Sequence, residues 1–301
     1  MSPSLSSPWP QSLWPYRYTS LTSQQLRERR ALLSLRGNYA QLSALILLLL
    51  LSVYRLATTK IGTIGIERRS TLLSAWLDSP FMHGATEMRR HYLVAVGWLV
   101  WLLALSAWKT GDVMCEHDLT SKQDYLHLTK SIAQTAMATI PLHLLLSPKL
   151  SPTFNPFTQV LSRLLHLPQT YLTPYHRLFG RLVIPTLLSL HAFLYIMFFV
   201  QNGLLEKRLK DADVQFGIVG ILVMGVVVGM SRWVKGRGSS KRASGSVSRG
   251  TAYLLHVSLV MGLLAVVYCH VEYARKFVVQ AVGIYGVDVG SWVIKRLLRG
   301  M

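Results

Sequence analysis

The chain is poor in cysteine and in acid. Of its 301 residues 2 are Cys and 13 are Asp or Glu. Cys115, in a loop, and Cys269, inside an apolar stretch, cannot build a disulfide framework or a zinc site. Cys269 reads as a small apolar residue among its neighbours. Residues 1–38 lack an early apolar run and end in the basic stretch RERRALLSLR. No signal peptide is expected there, and the first apolar segment has to act as the insertion signal. No G-x-G-x-x-G phosphate loop occurs anywhere, which removes the usual cradle for a dinucleotide.

What is abundant is apolar and basic. Hydrophobic residues make up 51% and the mean hydropathy is +0.34. Seven stretches are long and apolar enough to be spans or nearly so: 39–57, 92–108, 131–147, 176–200, 214–233, 251–270 and 276–294. The weakest are the third, with Pro141 and His143, and the seventh, whose Asp288 suggests a partly interfacial position. The fold expected is all-α: a polytopic membrane helix bundle with a six-helix core and an additional N-terminal helix. Its parts are a polar and basic tail (1–38), a first span and loop (39–91), the core (92–294) and a basic C-terminal tail (295–301).

A net charge of +19 would suggest a nucleic-acid partner in a soluble chain. Here the Lys and Arg sit in loops between apolar spans, so the partner they indicate is the lipid bilayer. With seven spans, nineteen of the 32 Lys and Arg fall on the side that holds the C-terminus and the loop KGRGSSKRASGSVSRG. That side is then the cytosol and the N-terminus lies outside. The Arg-rich N-terminal segment opposes this, and a six-span arrangement with an internal N-terminus stays open.

Four histidines carry the chemistry. A helix rises about 1.5 Å and turns about 100° per residue, so His256 and His270, fourteen apart, share a face with about 21 Å between them. His176 and His191 are fifteen apart, which leaves the second ring rotated by roughly 60°. Pro185 lies between them, and a kink or a one-residue bulge there would absorb the offset. Buried ionisable groups are costly in hydrocarbon and call for a partner or a function. Two matched pairs on two helices point to two irons, each held between two axial imidazoles. By depth, His176 and His256 form the inner couple and His191 and His270 the outer one. His143, alone in PLHLLL, reads as a packed polar residue. Arg177 and Arg181, near His176, and Arg249, before the sixth span, are candidates to pair with haem propionates, or are ordinary snorkelling residues. Gly180 and Gly262 would allow a flat macrocycle to approach the backbone.

The stretches YHRLFGRLVIPTLLSLHAFLY, LLHVSLVMGLLAVVYCH and VEYARKFVVQAVGIYGVD resemble the transmembrane domain of fungal ferric reductases and NADPH oxidases, and DYLHLTKSIAQTAMATIPLHLLLSPKLSPTFNPFTQVL is similar to the preceding span and loop. The resemblance covers roughly residues 90–294. It implies two b-type haems ligated by His176, His191, His256 and His270. It also implies electrons arriving from cytosolic NADPH through FAD and leaving to a ferric chelate, oxygen or another acceptor outside. The fifteen-residue spacing of the first pair departs from the expected fourteen. The chain ends at KRLLRGM without an HPF-type flavin motif, and NPF at 155–157 is in the wrong place to substitute. FAD and NADPH are therefore expected only through a partner, a cytosolic flavoprotein reductase. The plasma membrane is favoured by the resemblance, with an endomembrane possible. Two other classes remain: a different di-haem cytochrome b-type electron carrier, and a non-enzymatic membrane subunit.

Overall fold

The computed structural model describes residues 22–63, 72–82, 87–110, 125–236 and 249–300. Cys115 and most of the basic loop between residues 234 and 250 lie outside the described residues. The described residues are helical, in the order α1 (Ser23–Thr63), α2 (Leu72–Leu77), α3 (Arg89–Ala107), α4 (Tyr125–Ala138), α5 (Ile140–Leu146), α6 (Pro156–Gln159), α7 (Gln169–Leu178), α8 (Ile184–Gln201), α9 (Leu205–Leu209), α10 (Ala212–Gly236), α11 (Arg249–His270) and α12 (Arg275–Gly300). Their only β pairing is an isolated bridge between Pro80 and Met88.

Among the described residues six helices are long and apolar enough to cross a membrane: Ser23–Thr58, Arg89–Ala107, Gln169–Gln201, Ala212–Met230, Gly250–His270 and Glu272–Arg299. The chain is an integral multi-pass membrane protein with an N-terminal spanning helix, as expected. α1 starts well before its apolar run, because Thr22 and Gln25 form a reciprocal cap: Thr22 N donates to Gln25 Oε1 at 3.0 Å and Gln25 N to Thr22 Oγ1 at 3.3 Å. Further along, Leu42, Leu45, Ile46, Leu49, Leu50 and Val53 form an exposed stripe, while Ala40, Ala44, Leu48 and Leu51 are buried. This is the two-faced pattern of a helix with one side to lipid and one to the bundle.

The third expected span departs from a simple apolar helix. Residues 125–146 form two pieces, α4 and α5, that meet at Thr139. Pro141 at the start of α5 has no N–H to continue the α4 ladder, and the Thr139 hydroxyl bonds back to Ala136 O at 2.7 Å. α4 is polar yet enclosed: His127, Thr129, Ser131, Gln134 and Thr135 are all buried, with α1, α3 and α8 packed around it. A helix that meets protein on every side does not need an apolar surface.

The seventh expected span corrects the sequence reading. α12 is a continuous helix that qualifies as a span, and Asp288 is not drawn to the interface but buried. Its Oδ1 accepts from Asn155 Nδ2 at 3.1 Å, and its carboxylate accepts from Leu150 N at 3.2 Å. The carboxylate thus ties the segment between α5 and α6 to α12.

The expected bulge between His176 and His191 is present. Phe179–Val183 is a π turn joining α7 to α8, and Pro185 follows it, lacking the N–H that an α-helix would use to bond Arg181 O. The wide turn takes up one residue without advancing the helical phase. The fifteen residues between the two histidines therefore act as fourteen, and the first pair matches the second.

Candidate functional site

α7 and α8 carry His176 and His191; α11 carries His256 and His270. His176 and His256 lie within electrostatic reach of one another, and so do His191 and His270. His176 is thus near His256, and His191 near His270. The helices that carry them do not pack tightly: α11 is held mainly by α10 and α12 rather than by α7 and α8. Among the described residues no three His, Cys, Asp or Glu side chains are gathered closely enough to cage a bare metal ion.

Three of the four rings are fixed in the same way. Nδ1 of His176 donates to His143 O at 3.0 Å, Nδ1 of His191 to Thr129 O at 2.8 Å, and Nδ1 of His270 to Asp213 O. A carbonyl can only accept, so the proton must sit on Nδ1. Nε2 is then left with its lone pair, the tautomer and orientation a metal-binding imidazole needs. His256 makes no hydrogen bond to the described residues and is the least constrained of the four.

Glycines line both levels. A Cβ on Gly180 would lie 2.9 Å from His143 Cε1, and one on Gly217 would lie 2.8 Å from His270 Cε1. Gly262, on α11, faces open space, with nothing within 4 Å of where its Cβ would be. Separated helices, free Nε2 lone pairs and glycines at the ring positions fit a flat macrocycle inserted between two imidazoles better than a compact ion cage. Sequence reasoning picked out Gly180 and Gly262 but passed over Gly217. That residue comes to His270 from α10, across a contact between helices.

The arginines near His176 have a protein partner that the sequence did not reveal. Arg181 Nη2 lies 2.8 Å from Glu87 Oε1 and Arg177 Nη1 lies 4.0 Å from the same oxygen. Glu87 is 1% exposed, against 18% for Arg181 and 54% for Arg177. A single buried carboxylate therefore gathers both guanidiniums and leaves the group with one net positive charge. The side chain of Arg249, which opens α11, lies outside the described residues.

His143 is not the isolated packed residue that PLHLLL suggests. Its ring stacks on His176 with centroids 4.1 Å apart and planes 15° from parallel, and it lies within electrostatic reach of His256 as well. Its carbonyl is the group that holds His176. At the other level, Arg36 is wholly buried in α1. It donates from Nε to Trp108 O at 3.0 Å and from Nη1 to His127 Nε2 at 2.6 Å. His127 is two residues from Thr129, whose carbonyl holds His191.

Residues 132–242 match the family described as ferric reductase like transmembrane component. The matched segment contains His143, His176 and His191 and ends before His256 and His270. Neither a curated protein nor a solved structure matches the chain. The family match, with the membrane-spanning helices, supports transmembrane electron transfer as the activity class.

Proposed function

We propose, taking residues 132–242 as a ferric reductase like transmembrane segment, that the protein carries single electrons across the bilayer through two b-type haems. The inner haem would be held by His176 and His256 and the outer by His191 and His270. When bound, each haem supplies a one-electron couple within the membrane. The observation that carries this reading is the shared anchoring of His176, His191 and His270, whose Nδ1 protons are all committed to backbone carbonyls. That arrangement keeps three Nε2 lone pairs free of a proton, and it is more specific than the presence of histidine in a span.

The chain's own residues define the rest. Held by imidazoles from both sides, each haem would have no position open to a substrate, and an acceptor such as a ferric chelate on the non-cytosolic face would be reduced by outer-sphere transfer. Along α11 the two ligands are about 21 Å apart, the length of helix between them. The apolar helices exclude water from that interval. Arg181 and Arg177 supply positive charge beside the inner level, with Glu87 offsetting one of the two. Electrons would enter from a separate cytosolic flavoprotein.

A dithionite-reduced minus oxidised spectrum with pyridine haemochrome quantitation tests the reading. Two b-type haems per purified chain are expected. One or none would reject it. His191→Ala should then give one haem per chain and leave the inner couple in place. Ferric-chelate reduction, assayed with and without a co-expressed flavoprotein, tests the donor.

A further inference from the structure

We infer that His143 is an alternative axial ligand of the inner haem, able to take the place of His176 opposite His256. The inference rests on the two-haem reading above. The inner level holds three histidines that sense one another, His143, His176 and His256, whereas the outer level pairs His191 with His270. Bis-imidazole ligation uses two.

His143 has the features of a ligand in reserve. The His143 and His176 rings are stacked, 4.1 Å between centroids and 15° from parallel. The His143 ring makes no hydrogen bond among the described residues, and its Nδ1 is buried without a partner. Buried polar atoms left unsatisfied are few in folded proteins, and each calls for an unseen partner. Gly180, one turn after His176, gives the ring its room: a Cβ there would come within 2.9 Å of His143 Cε1 and 3.1 Å of its Nε2. The His143 ring thus occupies the glycine-lined space beside His176. The break at Thr139 and the restart at Pro141 set α5, and with it His143, in this position.

The backbone connection makes exchange between the two rings local. Because His176 Nδ1 bonds the carbonyl of His143 itself, the two residues are tied together, and exchange would need only side-chain rotation, His143 Nε2 now lying against Gly180. Exchange moves no electrons. One Fe–N bond breaks, another forms, and the displaced imidazole keeps its Nδ1 or Nε2 proton.

The test is haem content with low-temperature absorption and electron paramagnetic resonance spectra of the full-length protein. Wild type and His143→Ala should each hold two haems. His176→Ala should also hold close to two, the inner one low-spin with altered g-values, and the His143→Ala/His176→Ala double variant should fall to one. The retained outer haem reports that the bundle is folded. Gly180→Ala, which crowds His143, should lower the content toward one in the His176→Ala background. If His176→Ala alone drops to one haem, or the double variant keeps two, the inference is overturned while the two-haem reading stands. Wild type without b-type haem would overturn both.

Discussion

Arg36, wholly buried in α1, donates from Nη1 to Nε2 of His127 at 2.6 Å. An arginine cannot accept, so His127 must accept through Nε2 and carry its proton on Nδ1. The same guanidinium bonds Trp108 O, so one side chain of α1 fastens both the end of α3 and the start of α4. Arg36→Met keeps the volume but removes the guanidinium donor from that carbonyl and from His127 Nε2, and should lower stability by about 1–3 kcal/mol. Thermal unfolding in detergent would measure it. Arg36→Lys should recover less than half, since a single ammonium cannot reproduce the planar fork.

Gly217→Ala should act on the outer level alone. The added methyl would meet His270 Cε1 at 2.8 Å, and the ring would have to turn away from Asp213 O. Haem content is expected to fall from two toward one per chain, with the inner absorption band unchanged. An unaltered outer band would show that His270 does not ligate in this orientation.

Glu87→Gln should destabilise the protein by about 1–3 kcal/mol, because Arg181 would keep its charge in a partly buried place without a counter-ion. A double-mutant cycle with Arg181→Met should show strong coupling. Arg177→Ala should change stability by less than about 0.5 kcal/mol, since Arg177 is more than half exposed and 4.0 Å from the carboxylate.

Lys149, in the segment after α5, has its pKa lowered to about 8 by burial, against the opposing pull of Asp288. An unfolded lysine titrates near 10.4. Between those values the unfolded chain binds more protons than the folded one, so stability should rise with pH from about 8 to about 10.4. The gain is complete above the unfolded value and is lost as pH falls through about 8. Lys149→Met should remove this part of the slope, which unfolding midpoints across that range would reveal.

The spacing of the four histidines was legible in the sequence because it is a property of single helices. So was a kink or one-residue bulge between the first pair, which the structure resolves as the π turn at Phe179–Val183. What the sequence did not disclose depends on contacts between elements distant along the chain. Glu87 meets Arg181 from outside their helix. His143 looks solitary until α5 is folded against α7, and Gly217 meets His270 from α10. Asp288 looked like an interfacial residue because hydropathy treats a carboxylate as a cost, and it cannot register the Asn155 and Leu150 donors that await it. Residues 131–147 looked like a weak span for a related reason: hydropathy assumes lipid on the outside, and α4 has protein there.

That enclosure has a consequence for how the protein is made. A segment carrying His127, Thr129, Ser131, Gln134 and Thr135 along its length would not leave the insertion machinery for lipid alone, because the His127 imidazole and Gln134 amide would face hydrocarbon there. It becomes a membrane helix only in company, with α1 and α3 already present from earlier in synthesis and α8 still to arrive. Thr129 and His143, whose carbonyls hold His191 and His176, lie on this late-settling stretch. If the two-haem proposal holds, haem capture would follow the docking of the last of these helices, since an incompletely assembled bundle would offer no finished pair of ligands.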